Sequence, residues 1–379
     1  MKFLHTSDLH IGKRLYDTPL TEDQSYMLGQ IVDTAKKEGV DAILIAGDIY
    51  DRSNPSEDAV ELYDRFLAAL SESGIPTFII PGNHDSAVRT SFGSSFMADH
   101  GIIISGGFSG TMEKHVIEDA SGPVNIWMLP FFRDAEMHLP EGSKGMDAAF
   151  RKILEDSGVD PKERNILISH QFFVSAGTQP DTGGSERCRP SVGGEDCISS
   201  ELLRDFDYVA LGHIHRAQSV GRDTVRYSGT PMKYSETECF DRKGVVIGEI
   251  GGKGEVEFRT VTLTPLRDLR TIEGTVEQLV EDAETNGLSR DDYVYIRLTE
   301  NSPDAKQKLS RIYPNILSIV PSSSVTEDEM EIRSVEEIRR MDPVELFSEM
   351  FRKFQGKDLS GRQLEAVREA VRRAKEAEI

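Results

Sequence analysis

The sequence predicts a layered α/β domain with mixed sheets flanked by helices, followed by a small α+β domain and a helical tail. Three observations carry that expectation. Short apolar runs alternate with amphipathic stretches through the first two thirds of the chain, and consecutive strand-like runs follow around residues 244–261. The third is length, since 379 residues at ~150 residues per domain suggest two to three domains.

The runs Lys2 to Thr6, Asp41 to Ala46, Thr77 to Ile80, Ile166 to Ile168 and Tyr208 to Leu211 are strand-sized and rich in β-branched residues. Between the first two lies a helical pattern from about Glu22 to Glu38. A second runs from Ser56 to Ser73, stopped by Gly74, with Val60, Tyr63, Phe66, Leu67 and Leu70 as a core-facing stripe. Gly244 to Ile250 and Glu255 to Val261 read as antiparallel strands joined by the turn Gly251-Gly252-Lys253-Gly254. After Pro265 come a strand near Leu269 to Ile272, a helix near Val276 to Asn286, a strand at Tyr293 to Leu298, a helix around Ala305 to Ile312 and a strand at Ile316 to Val320. Pro321 and the serines 322–324 open a polar linker. Asp342, Pro343 and Glu345 then signal one helix start, and Ser360 with Gln363 another. The expected divisions are 1–264, 265–321, a linker 322–341 and a helical segment 342–379.

Lys and Arg total 44 against 65 Asp and Glu, a net charge of −21. A stand-alone electrostatic binder of nucleic acid or anionic membrane is therefore disfavoured, and a phosphate-bearing substrate must be held by something other than bulk charge. No apolar run approaches the ~20 residues of a spanning helix, and the amino terminus lacks a signal-peptide core. The cysteines Cys188, Cys197 and Cys239 match neither a disulfide framework nor a common zinc spacing. The cytoplasm is the expected compartment.

Polar clusters stand where predicted strands stop: Asp8 and His10, Gly47 and Asp48, Gly82 to Asp85, His170, and Gly212, His213 and His215. Singly, each is ordinary turn chemistry or a structural histidine. Together they suggest one site, because ligands in α/β sheets bind beyond the carboxyl ends of strands. Asp8 with His10, and His213 with His215, are two residues apart, so an extended backbone would turn each pair to one side. Two aspartates, Asn83 and four histidines suit manganese, iron or zinc rather than calcium. Seven donors are too many for one ion and fit two if a carboxylate bridges. Such a pair binds a phosphoryl oxygen and activates a water for in-line attack.

The blocks Asp8-Leu9-His10, Gly47-Asp48, Gly82-Asn83-His84-Asp85, His170 and Gly212-His213-Ile214-His215 resemble, in order, the signature blocks of the calcineurin-like metallophosphoesterases. More narrowly, His5 to Gly12, Gly47 to Asp51, Pro81 to Asp85, Ala210 to His215 and Tyr227 to Pro231 resemble the bacterial branch of the DNA break-repair nucleases. The resemblance implies a metallophosphoesterase sandwich and a cytoplasmic, nucleoid-associated DNA nuclease that prefers manganese. It implies one ion held by Asp8, His10, Asp48 and His215, and a second by Asp48, Asn83, His170 and His213, with Asp48 as the bridge. His84 would then be no ligand but would stabilise charge at the scissile phosphate or protonate the leaving oxygen. Archaeal and eukaryotic relatives carry a strand-orienting histidine where this chain has Asp51, which is either a support behind the ligands or a turn residue. Asp85 either orients a histidine or closes the turn after Asn83. The resemblance also implies a homodimer, a DNA-capping role for the domain after Pro265, and an ABC-type ATPase partner with a coiled coil.

The tail fits such a partner. Leu346, Phe347, Met350, Phe351 and Phe354 form an apolar stripe, read as a docking helix, against the plainer reading that the two tail helices pack together or on the main body. The segment 171–197, rich in Gly, Ser and Pro, is a candidate DNA-facing loop with Arg187 and Arg189, or a solvated one. Alternatives to a DNA nuclease are a small-molecule phosphodiesterase or phosphatase on the same site, and a scaffold without metal, against which the complete donor set argues.

Overall fold

The structure, a computed structural model, describes residues 1–137, 139, 143–175, 178–183, 190–191, 194–195, 197–285, 290–300, 302–321, 342–355 and 358–377. They form two compact units. The first comprises Met1–Thr271, Ser289–Tyr295 and Tyr313–Leu317, the second Ile272–Leu288, Ile296–Ile312 and Ser318–Ile379.

The first unit is built on two six-stranded mixed sheets. One has the order Val256–Thr262, Gly244–Ile250, Lys2–Thr6, Ala42–Ala46, Thr77–Ile80, Ile102–Ile104, parallel from Lys2–Thr6 onward and antiparallel at the other end. The other runs Gln218–Val220, Arg222–Tyr227, Tyr208–Leu211, Arg164–Ser169, Gly122–Leu129, Glu113–Asp119, with antiparallel pairs at both edges. Central strands are apolar on both faces because both faces are covered: Ala42–Ala46 is buried throughout.

One face of each sheet meets the other across Phe3, Leu44, Phe78, Ile126, Ile168 and Ala210. The outer face of the first sheet takes the helices Thr21–Glu38 and Glu57–Ser73 through Ile31, Leu62, Phe66 and Leu70. That of the second takes Met146–Ser157 through Phe150 and Ile153. Each fully buried large side chain contributes about 1.5–3 kcal/mol, so three stacked cores hold four layers in register. Ser56 caps the Glu57–Ser73 helix by accepting from the Ala59 N–H, and left-handed Gly74 ends it. Val60 of the expected core stripe instead lies 48% exposed, since it sits at the margin of that stripe.

Further along the chain, strands Leu269–Gly274, Tyr293–Leu298 and Ile316–Pro321 alternate with helices Val276–Thr285 and Ala305–Leu309, an α+β pattern. In the second unit these two helices pack together, and so do the tail helices Pro343–Gln355 and Gly361–Ala377. At the latter's start the Ser360 N–H donates to Gln363 Oε1 at 3.0 Å, half of the expected capping box. Among the described residues no helix is long and apolar enough to cross a membrane.

Candidate metal centre

Five loops leave the carboxyl ends of strands on the same side of the two sheets, and their backbones are tied before any side chain is considered. Asp8 N–H donates to the Gly47 carbonyl at 2.9 Å, His10 N–H to that of Asp48 at 3.0 Å, and Gly212 N–H to that of Ser169 at 3.1 Å. Five non-glycine residues have positive φ among those described, and four are expected ligands: Asp8 (53°), His10 (44°), Asp48 (51°) and His213 (95°). Left-handed backbone is uncommon for such residues, and its clustering marks a functional site. It also corrects the route to convergence. Asp8 with His10, and His213 with His215, do not share one side of an extended strand; tight left-handed turns aim them.

All seven expected donors and His84 come together. His10 Nε2 lies 3.0 Å from His215 Nε2. Asn83 Oδ1, as assigned, lies 3.0 Å from His170 Nε2 and 2.9 Å from His213 Nδ1. Asp48 Oδ2 stands between the two halves, 3.3 Å from His170 Nε2, 3.8 Å from His10 Nε2 and 4.0 Å from His84 Nε2. Donor atoms of Asp8, His10 and His215 lie within 4.8 Å of one another, as do those of Asp8, Asp48 and His170 and those of His10, Asp48 and His84. Proximity therefore does not separate His84 from the rest. Exposure sets it apart from three of them, since its side chain is 30% exposed, against 1% for His10, 0% for His170 and 10% for His215, while Asn83 and His213 are half-buried as it is.

The donor chemistry fits divalent cations. Asp8 and Asp48 are buried, and no lysine or arginine pairs with either among the described residues, although a buried carboxylate needs a positive partner. His170 Nδ1 donates to the Ala46 carbonyl at 2.7 Å. That leaves its Nε2 lone pair facing two oxygens, a contact requiring either a second proton or a cation. The titration directions report the same demand. Burial pushes His170 down, but the Asp48 charge more than reverses this, lifting it to about 9. Burial pushes Asp48 up, but His170, His10 and His84 hold it well below the usual carboxylate range. A metal ion meets that demand without the proton.

Of the two readings open for Asp85, its hydrogen bonds are those of a turn clamp. Its carboxylate accepts from the N–H groups of Ile49 at 3.0 Å, Tyr50 at 2.8 Å and Gly82 at 2.8 Å. Three backbone donors crowd around it because it clamps the Asp48 loop to the Gly82 turn. Asp51 Oδ1 accepts from Lys13 Nζ at 2.7 Å and lies 3.8 Å from His10 Nδ1, while its carbonyl accepts from His84 Nδ1 at 2.9 Å. Glu238, which no motif marks in the sequence, is buried behind His215; no spacing rule links two positions 23 residues apart. His5 bonds Tyr208 and the Leu211 carbonyl inside the sheets, where burial takes it down to about 3. His100 is exposed. His138, Cys188, Arg187 and Arg189 lie outside the described residues.

The sequence has counterparts among known proteins. A family model described as calcineurin-like phosphoesterase matches residues 1–217, and the chain belongs to that family. A second model, described as the type 5 capsule protein repressor C-terminal domain, matches residues 265–354. A Staphylococcus epidermidis protein, named as the SbcD component of the nuclease SbcCD, is 32% identical over 381 residues, covering 97% of each chain. The Staphylococcus saprophyticus protein of the same name is 30% identical over 376 residues, covering 97% of this chain and 96% of its own. A solved dimetal phosphatase from Danio rerio aligns with a TM-score of 0.38 at 14% identity, covering 70% of this chain and 99% of its own.

Proposed function

We propose that the protein is a manganese-dependent DNA nuclease, the SbcD-type component of a complex with an SbcC-type ABC ATPase, acting on duplex ends as an exonuclease and on single strands or hairpins as an endonuclease. The carrying observation is the cage of seven donors from five loops, with two buried carboxylates that no lysine or arginine pairs among the described residues. Likeness over 97% of the chain to relatives named as nuclease components favours DNA over a small phosphoester.

On this reading Asp8, His10, Asp48 and His215 hold one ion, and Asp48, Asn83, His170 and His213 the other. When bound, two such ions supply Lewis acidity to the phosphoryl oxygens and a nucleophilic water at neutral pH. The chain holds the donors in place before substrate arrives: the His84 N–H fixes Asp48 Oδ1 at 2.9 Å, and the Ala46 carbonyl fixes the His170 ring. His84 donates Nδ1–H to the Asp51 carbonyl, which turns Nε2 toward the open side beside Asp48. There it stabilises charge on the phosphate or gives a proton to the leaving oxygen. His84→Ala should keep both ions and lower turnover ~10²- to 10⁴-fold, checked by metal content alongside cleavage of end-labelled DNA. Loss of an ion would make His84 a ligand.

The tail is the proposed docking segment for the ATPase, and a nuclease homodimer within a heterotetramer at the nucleoid is the proposed assembly. Phe347 is 46% exposed and Phe351 half-buried; the side chains of Leu346, Met350 and Phe354 lie outside the described residues. Phe347→Asp in the full chain should weaken capture of the ATPase by about 2 kcal/mol or more, roughly 30-fold, with hydrolysis of a small phosphodiester unchanged. Undiminished capture would remove the tail as the main anchor. Purified chain assayed with manganese on end-labelled duplex and hairpin DNA, with and without the ATPase and ATP, tests the whole reading; no cleavage under any condition overturns it.

A further inference from the structure

Behind His215 lies a buried ion pair that the proposed reaction leaves without a role. Glu238, 2% exposed, closes the short turn Glu236–Glu238. Its Oε1 accepts from His215 Nδ1 at 3.3 Å and from the Ser235 hydroxyl at 2.9 Å. Its Oε2 accepts from Lys243 Nζ at 2.6 Å and from the Thr230 hydroxyl at 3.1 Å. Lys243, also buried, donates in addition to the His215 carbonyl at 3.0 Å and lies 3.3 Å from Asp241 Oδ2. Ring and backbone of one histidine are thus gripped by the two halves of one ion pair.

Pairing alone would account for Lys243, because a buried charge requires a partner. It does not account for the second carboxylate oxygen, which is turned onto the imidazole. A carboxylate behind a ligating histidine fixes the proton on the rear nitrogen and makes the front nitrogen a stronger donor. The front nitrogen here is Nε2, 3.0 Å from its counterpart on His10. In the other half of the centre His170 rests on the neutral carbonyl of Ala46, while His213 turns Nδ1 to its co-ligand Asn83. On His10, Asp51 Oδ1 stands 3.8 Å from Nδ1, beyond hydrogen-bond reach, and is drawn toward Lys13 at 2.7 Å. Among the described residues, of His10, His170 and His215 the last alone has an anion at hydrogen-bond distance from its rear nitrogen.

We propose that Glu238, set in place by Lys243, is a positioning residue that makes the His10–His215 half of the centre the tighter of two divalent-cation sites. This rests on the binuclear reading above. The test is calorimetric titration of the metal-free full-length chain with Mn²⁺, with the unfolding temperature of each metal-free variant measured beforehand. The wild type should show two binding events. Glu238→Gln should weaken the tighter event ~10- to 100-fold and leave the weaker one unchanged. The double variant Glu238→Gln/Lys243→Met removes both buried charges, so no lysine is stranded, and carries the test if the single variant does not fold. It should bind the tighter ion as weakly as Glu238→Gln does. Wild-type affinity for both ions in the double variant would reduce Glu238 to a counter-ion for Lys243 and overturn the proposal. A wild type that binds one ion or none overturns the binuclear reading instead.

Discussion

Asp48→Asn should release both ions and lower manganese-dependent DNA cleavage by roughly 10³-fold or more. The side chain is 2% exposed and serves both halves of the cage, with Oδ2 3.3 Å from His170 Nε2 and 3.8 Å from His10 Nε2, while Oδ1 takes the His84 N–H. Asparagine keeps the shape but removes the charge, and its amide turns either two protons or a neutral oxygen toward imidazole lone pairs. His10 and His170 then lose the anion that offsets their burial, and Asp8 remains as the one buried carboxylate of the cage. Charge stabilisation by such ions is worth several kcal/mol, and each ~1.4 kcal/mol is tenfold in rate. Metal content and a cleavage time course on the same preparation check the two halves of the expectation. A variant that holds two ions and cuts DNA would remove Asp48 from the bridging position.

The donor set was legible in the sequence because each cluster follows an apolar run of strand length, and loops at the carboxyl ends of parallel strands open on one side. Lys2–Thr6, Thr77–Ile80 and Tyr208–Leu211 occur with the expected bounds. What the sequence hid was of two kinds. One edge strand carries no apolar run: Glu113–Asp119 reads EKHVIED and takes only exposed and half-buried positions, so it looks like a charged loop until a partner is supplied. Gly122–Leu129 opens on Gly and Pro and holds Asn125, whose burial is bearable because its amide donates to Glu163 and Asn165 at 2.8 and 2.9 Å. Met146–Ser157 starts from Gly145 with no side-chain cap, which removes the usual start signal. The second kind is support behind the donors. Lys13 on Asp51 and Glu238 behind His215 depend on distances between loops, and no periodicity encodes those.

Gly212→Ala is the substitution expected to damage fold and site at once. A Cβ at this position would stand 1.9 Å from the Ala46 carbonyl oxygen, 2.7 Å from His170 Nδ1 and 2.9 Å from Ser7 Cβ. Two of the three neighbours are the partners of one hydrogen bond, His170 Nδ1 to the Ala46 carbonyl at 2.7 Å, so a single methyl drives into the bond that aims His170. The Ala46 oxygen belongs to a buried central strand of one sheet and His170 follows a central strand of the other, so neither yields without parting the layers. Overpacking of this kind costs about 1–3 kcal/mol or more, at ~2–4 °C of unfolding temperature per kcal/mol for a domain of this size. Gly29 supplies the contrast: it sits on the exposed side of the Thr21–Glu38 helix with nothing within 4 Å of its added Cβ, so Gly29→Ala should stabilise by ~0.5–1 kcal/mol. Thermal unfolding of both variants without metal, followed by Mn²⁺ titration, separates the outcomes. Gly212→Ala should melt several degrees lower, on the order of 5 °C, and lose the ion that His170 would hold. If instead it melts and binds like the wild type, the close approach of the two sheets beneath His170 is not what aims that ring.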